Sequence, residues 1–540
     1  MPAAVVMVFL FLASVVLGAS NASNLDPVKN FCKRISHQST VKKGTLNIDG
    51  GIEVFVDENN NGAPIGNKTI GYNTYPLEVD MMTSWDWRNN ITVIAVNKTA
   101  NLQTGTAPPL VVNAALYPRA SNDTNIYLYR GTVSFVNTSF PGFEWPESEQ
   151  YSLWSYDTVG KTWSQYDVTL NAPNRPSSGA YAEAPELGLA FWLNGKIDTG
   201  TSNILQNLSG FERYLDGLIV INTSTQTARN LSTASLASFS RIGGSMVCIR
   251  GIGSKGILVA VGGTTKSVHD SSDLTTGTYV TFNKIDFFDV ASLDDGSQNG
   301  TWNLQKATGE RKEFCLVAAS APDNSSHNIY LYGGRDETQQ FDDIYTLSLP
   351  SFTWTKIYEG QSPRYGHTCH LVGNRQTITV GGVDSPELQR GCDWETKSVA
   401  IYDLSLLVWG SVYNAFAPPY EVPGPIYRVV GGSAQGGASM KAPPGGFSTP
   451  QIAQLFGYSA SNNSTSNTSS NATTAEGHGG LSGGAIAGVM IGSVAGAFIL
   501  AGLAFFLIRR RRRRDAADHP PEYSPEEQKP EADRIENLGC

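Results

Sequence analysis

Histidine is the side chain most readily turned to general-base or metal chemistry, and the central part of this chain offers His37, His269, His327, His367 and His370. His367 and His370 lie three apart on a predicted strand, so their rings point to opposite faces and do not form one ligand pair. Asp57, Asn59, Asn61 and Gly62 match the opening of an EF-hand calcium loop. Lys68 stands where that loop needs a bidentate glutamate, so a polar inter-strand loop explains the segment better. Cys32, Cys248, Cys315, Cys369 and Cys392 precede a long apolar segment, and Cys540 is the last residue. Cys369 and Cys392 flank one strand-turn unit and are the expected disulfide. The others pair with one another or stay buried, since spacing alone does not decide connectivity. Pro520-Pro521-Glu522-Tyr523 is a PPxY sequence of the kind that WW domains read from preformed polyproline II.

The segments that must hold these residues suggest a single-pass type I membrane protein. Residues 1–20 read as a signal peptide: Val5–Leu17 is almost unbroken apolar sequence, too short to span a bilayer, and Gly18, Ala19 and Ser20 suit cleavage. Residues 482–508 read as a transmembrane helix. The uncharged stretch Ala485–Ile508 is long enough at about 1.5 Å per residue to cross roughly 30 Å of hydrocarbon. It stops at the arginine run 509–514, which places the tail 509–540 in the cytosol and the N-terminal part in the lumen or outside the cell. The expected location is the cell membrane or a secretory-pathway membrane. Gly484, Gly488, Gly492 and Gly496 share one helix face and would allow a helix dimer.

The lumenal part is rich in N-x-S/T sequons. They begin at Asn67, Asn90, Asn97, Asn122, Asn137, Asn207, Asn222, Asn230, Asn299, Asn324, Asn462, Asn463, Asn467 and Asn471, and together predict a glycosylated surface. Residues 456–481, mostly Ser, Thr, Asn and Gly, read as a glycosylated stalk. The net charge of −9 is not gathered into a patch, and the one strong basic run is the stop-transfer segment. Nucleic-acid binding is therefore excluded from the reading.

Between residues 30 and 455 a unit recurs. A β-branched or aromatic run ends in Gly-Gly, as in Ile329-Tyr330-Leu331-Tyr332-Gly333-Gly334, Ile378-Thr379-Val380-Gly381-Gly382 and Leu258-Val259-Ala260-Val261-Gly262-Gly263. A second strand and a turn follow, then Trp354, Trp409 or Trp302. Asp157 to Trp163 repeats the spacing of Asp403 to Trp409. Asn222 to Ala228 repeats it with Ala in place of Trp. Degenerate Gly-Gly positions stand at Arg130-Gly131 and Asn194-Gly195, and Gly50-Gly51 precedes Trp85. The count is six units.

This pattern resembles kelch repeats. Arg364-Tyr365-Gly366-His367 matches the lead-in to a kelch first strand, and Arg34-Ile35-Ser36-His37 is a weaker echo. The resemblance implies an all-β fold, a kelch-type β-propeller of six blades, or seven, anchored by the C-terminal helix. In such a blade Gly-Gly would end a strand where a side chain collides, and Trp would pack between blades. Val422–Gly432 would then complete the ring as a closing strand or belong to a seventh blade.

For function, the resemblance implies a non-catalytic surface module, similar to membrane-anchored kelch proteins of fungi, that binds a protein or a cell-wall polysaccharide. No cofactor is called for. The alternative is a galactose-oxidase-like or other carbohydrate-active enzyme, whose copper site would need two tyrosines, two histidines and a cross-linked cysteine. Ser292-Leu293-Asp294-Asp295-Gly296 resembles a sialidase Asp box, but its gap to Thr301-Trp302 is wrong. The PPxY residues Pro520, Pro521 and Tyr523 suggest a WW-domain ubiquitin ligase as partner of the tail.

Overall fold

The computed structural model describes residues 26–458, apart from 57–67, 121, 134–151, 167, 169–175, 202–204, 206, 234–235, 237–239, 272–276, 283, 295–300, 306–309 and 396. The expected signal peptide, span, tail and all but the start of the stalk lie outside these residues. Among the described residues no helix is long and apolar enough to cross a membrane.

The recurring unit folds into four antiparallel strands six times along the chain: five stand as separate four-stranded sheets, and the sixth set is joined by three N-terminal strands into a seven-stranded sheet. Their first strands are Gln38–Lys42, Ala115–Pro118, Ala180–Ala184, Ser245–Ile249, Cys315–Ser320 and Tyr365–Val372. Each first strand neighbours the first strand of the sheets before and after it, and the sixth neighbours the first. The arrangement is propeller-like.

The second strand of a sheet is buried because both its faces are covered. Ile257–Val261, His327–Tyr332 and Gln376–Val383 are buried at every residue. Apolar clusters fill the spaces between consecutive sheets: Val259, Phe287, Leu316 and Ile329 join the fourth to the fifth, and Phe191, Val220, Leu258 and Phe288 the third to the fourth. Two of the expected tryptophans sit at seams between consecutive sheets. Trp354 stacks on Phe282 of the preceding sheet at 5.3 Å, and Trp409 tilts against Tyr332 of the preceding sheet at 4.9 Å.

Gly-Gly occupies left-handed backbone, with φ +64° and +88° at Gly333 and Gly334. The degenerate copies keep that backbone, with φ +65° at Arg130 and +56° at Asn194. The second glycine donates its N–H to the lead-in of the next sheet, as in Gly263 to Arg311 O and Gly334 to Arg364 O, both at 2.8 Å.

Two expectations are corrected. Within Val422–Gly432 the chain forms a helix, Gly424–Val430, rather than a closing strand or part of a seventh sheet. Pro423 and Pro425 suit a helix start and cannot donate to a ladder. The helix buries Ile426 and Val430 against Tyr330 and Tyr402, covering the seam between the fifth and sixth sheets. A second short helix, Pro450–Leu455, sets Ile452 into the seam between the fourth and fifth.

The disulfides are Cys32–Cys392 and Cys315–Cys369, not Cys369–Cys392. Cys369 lies on the first strand of the sixth sheet and faces Cys315 on the first strand of the fifth, with Cα atoms 5.8 Å apart. Cys392 lies in the long connection between the second and third strands of the sixth sheet. There it meets Cys32 on the N-terminal strand Phe31–Ile35, with Cα atoms 4.6 Å apart. That N-terminal strand also pairs with the sixth sheet, Arg34 opposite Gly382.

Candidate functional site at one mouth of the channel

A cavity of about 1660 Å³ runs along the axis where the first strands meet. Its waist is a ring of backbone. Ser36, Asn113, Ser178, Gly243, Glu313 and Gly366 each precede a first strand and each has φ between +54° and +68°. Each donates its N–H to the carbonyl of its counterpart in the preceding sheet, at 2.7 to 3.3 Å, and Ser36 returns to Gly366. A left-handed residue turns its N–H and its C=O toward successive neighbours, which lets the circle close.

The arginine before each ring residue, where present, is buried and paired with an acid. Arg34 meets Glu53, Arg241 meets Asp286, Arg311 meets Asp343 at 3.0 Å, and Arg364 meets Asp393 at 2.9 and 3.0 Å. Sequence reasoning found two of these lead-ins. The signal it missed was an arginine upstream of Gly262-Gly263 and Gly333-Gly334 as well, where the ring residue is followed by Gly or Phe instead of His.

One mouth gathers polar side chains on connections from successive sheets. Three cations lie over tyrosine rings: Lys266 over Tyr214 at 5.6 Å, Lys312 over Tyr279 at 5.6 Å and Arg335 over Tyr365 at 4.8 Å. Carboxylates interleave with them. Glu212 accepts from Lys196 at 2.5 Å and faces Lys266 at 3.6 Å, and Glu313 accepts from Arg335 at 2.6 Å. Asp198 accepts from Thr132 at 2.6 Å. Burial pulls the Lys196 ammonium down, but Asp198 and Glu212 outweigh it and hold the group above its usual value. Burial lowers Lys312, and it pushes the Tyr279 and Tyr365 hydroxyls up to about 12. The site is therefore charged and aromatic. That combination suits binding of a polar ligand.

Of the histidines, His37, His367 and His370 line the same cavity without meeting as one ligand set. His367 packs edge-on to Tyr332 at 5.0 Å, on the face toward the fifth sheet. His370 faces the first sheet, its Nε2 at 2.7 Å from Ser39 Oγ, and His37 Nε2 lies 3.1 Å from Thr368 Oγ1. His327 contacts Ser320 Oγ at 2.8 Å, and His269 is exposed. Burial holds His367 down at about 3 and His370 at about 4, so both are neutral. Among the described residues, Cys315, His367 and Cys369 are the one set with metal-ligand spacing, and its two sulfurs are joined to each other.

Of the expected glycosylation sites, Asn90, Asn97, Asn122, Asn207, Asn230 and Asn324 are exposed. Asn222 is half-buried and caps a turn, accepting from Ser224 N at 2.9 Å and Thr225 N at 3.0 Å. Asn67, Asn137, Asn299, Asn462, Asn463, Asn467 and Asn471 lie outside the described residues, as do the EF-hand-like stretch from Asp57 to Asn67, the glycine face 484–496 and Pro520, Pro521 and Tyr523.

The chain is 27% identical over 481 aligned positions to a kelch repeat-containing protein of Arthroderma benhamiae, covering 77% of this chain and 65% of that protein. This chain is similar to kelch-repeat proteins. It is also 29% identical over 105 positions to a mouse Rab9 effector protein with kelch motifs, covering 18% of this chain and 28% of the relative. The kelch-like part thus spans less than two thirds of either relative. No protein-family model matches the chain. The kelch similarity agrees with the six sheets and their Gly-Gly and Trp positions.

Proposed function

We propose that this chain is a single-pass type I membrane protein whose six-bladed kelch propeller, non-catalytic and glycosylated, binds a protein or a cell-wall polysaccharide outside the cell. The observation that carries the reading is the polar mouth, where three tyrosine–cation pairs stand on connections from successive sheets. The second relative is named as an effector of Rab9, which favours a binding role for such sheets. The stop-transfer sequence and the sequons supply the location. The tail carries Pro520, Pro521 and Tyr523 for a WW-domain ubiquitin ligase, and the glycine face 484–496 pairs two spans.

The test is binding of the full chain to glycan and protein panels. Tyr279→Ala and Arg335→Ala should each weaken the selected ligand at least tenfold. Lys255→Ala, on the exposed loop where it pairs with Asp294, should not. Mouth variants that bind like the wild type would sink the reading. For the tail, a 515–530 peptide should bind a WW domain and its Tyr523→Ala version should not.

A further inference from the structure

The three mouth cations that face tyrosine rings are not equivalent. Lys266 and Arg335 each have carboxylate partners, Glu212 and Asp270 for the first and Glu313 for the second. Lys312 has no carboxylate within 4.0 Å among the described residues. It lies next to the ring residue Glu313, whose carboxylate is already held by both Nε and the terminal nitrogen of Arg335 at 2.6 and 3.1 Å. Its ammonium is thus half-buried at the cavity wall, beside the Tyr279 ring, with no carboxylate in salt-bridge contact and with Glu313 and Glu212 acting on it only from farther away. A charge drawn out of water with no partner is costly, and a ligand that brings the opposite charge relieves that cost on binding.

The shape of the site limits what can bring that charge. Tyr279 and Tyr365 line a concave opening, each with a cation over its ring, and a surface of this kind takes a ring or a narrow chain rather than a broad protein face. A sugar chain entering it would bring its hydroxyls to Glu212, Asp198 and Lys196, which line the same cavity. We propose that the mouth takes an anionic saccharide, with its carboxylate or phosphate seated against Lys312. This rests on the binding function proposed above and gives the ligand a charge.

Calorimetric titration of the full chain in detergent tests it. The probes are tetragalacturonate, a phosphorylated mannotetraose, neutral mannotetraose and a tetraglutamate peptide. One of the two acidic sugars should bind at least tenfold more tightly than the neutral one, and which of them does so tells carboxylate from phosphate. Raising the salt should weaken that binding. Lys312→Met should abolish the preference. Lys312→Arg, which keeps the charge, should retain it, as should Lys255→Met. Melting temperatures of the variants report folding, and the arginine variant keeps the test valid if the methionine variant is unstable. Equal binding of acidic and neutral sugars, still dependent on Tyr279, would overturn this inference and leave the binding function standing. Tetraglutamate binding as tightly as the better acidic sugar would overturn the saccharide assignment. Binding of none of the probes would overturn this inference, and the protein and glycan panels would then decide the binding function.

Discussion

The backbone N–H of Ser36 donates to the carbonyl of Gly366 at 3.3 Å, so the last sheet of the chain is bonded to the first through the same contact that joins every other pair of neighbours. The contact belongs to a ring of six, and Cys32–Cys392 fastens the same closure at the outside. Closing so long a loop restricts the unfolded chain strongly, by about 6 kcal/mol in the chain-entropy picture. Cys392→Ser should therefore lower the melting temperature by several degrees, measured by tryptophan fluorescence. A variant that melts like the wild type would show that the backbone ring alone holds the closure.

Cysteine connectivity is directly checkable. A non-reducing digest should yield crosslinked peptides carrying Cys32 with Cys392 and Cys315 with Cys369. Cys248 remains free. Burial, with Glu183 nearby, pushes its thiol up to about 12. Iodoacetamide at pH 8 should label it slowly in the native chain and rapidly after denaturation. A crosslinked peptide carrying Cys369 with Cys392 would contradict the structure.

The buried arginine–acid pairs should behave as paired charges. Arg241→Ala strands Asp286 in the seam and should cost about 3–5 kcal/mol. Replacing both with apolar residues, Arg241→Met with Asp286→Leu, should cost much less, because no charge is left without a partner. Denaturant midpoints of the two variants decide the matter. If the double replacement costs as much as the single, the pair does more than cancel its own burial.

Gly333 tests the reason for Gly-Gly. It has φ +64°, and a Cβ there would come 2.5 Å from the Arg364 carbonyl oxygen. Gly105 has φ +71° but open space around it. Gly105→Ala should cost only the backbone penalty of about 1 kcal/mol. Gly333→Ala should cost at least about 2 kcal/mol more, because backbone cannot move aside. Equal losses would remove the steric explanation.

Stability should also respond to pH through Glu183, which lines the cavity. Burial raises its carboxyl from 4.5 to about 7. Its folded pKa therefore lies above its unfolded one. The favourable contribution is complete below about pH 4.5 and is lost as pH rises through about 7. Cavity water reaches the half-buried group, so the effect should be about 1–2 kcal/mol, less than the full shift would imply. Glu183→Gln should melt higher than the wild type at pH 8 and like it at pH 4. The reverse order would refute the assignment.

How much of this the residues announced depends on whether the signal is local. The apolar runs ending in Gly-Gly at 262–263, 333–334 and 381–382, and the fixed spacing to Trp354 and Trp409, are local features. Strand, turn and seam residue follow from them, and so did the count of six. Arg130-Gly131 and Asn194-Gly195 were legible as eroded copies because the left-handed backbone tolerates another residue at the first position. The PPxY sequence and the sequons are likewise readable as motifs, since they depend on a few adjacent side chains.

What only the tertiary structure decided is what ring closure brings together. Cys369 lies nearer Cys392 in sequence than Cys315, yet its strand turns it toward the fifth sheet. The segment 422–432 ends in Gly-Gly as a strand would, but Pro423, Pro425 and the apolar seam beside it make 424–430 a helix. The mouth is decided in the same way: Tyr279, the bridged pair Lys312 and Arg335, and Tyr365 come from three different repeats, and nothing in their separate neighbourhoods marks them as one site. Local sequence encodes each sheet. The facing of one sheet on the next, through the left-handed ring at Ser36 and its counterparts, determines which charges meet.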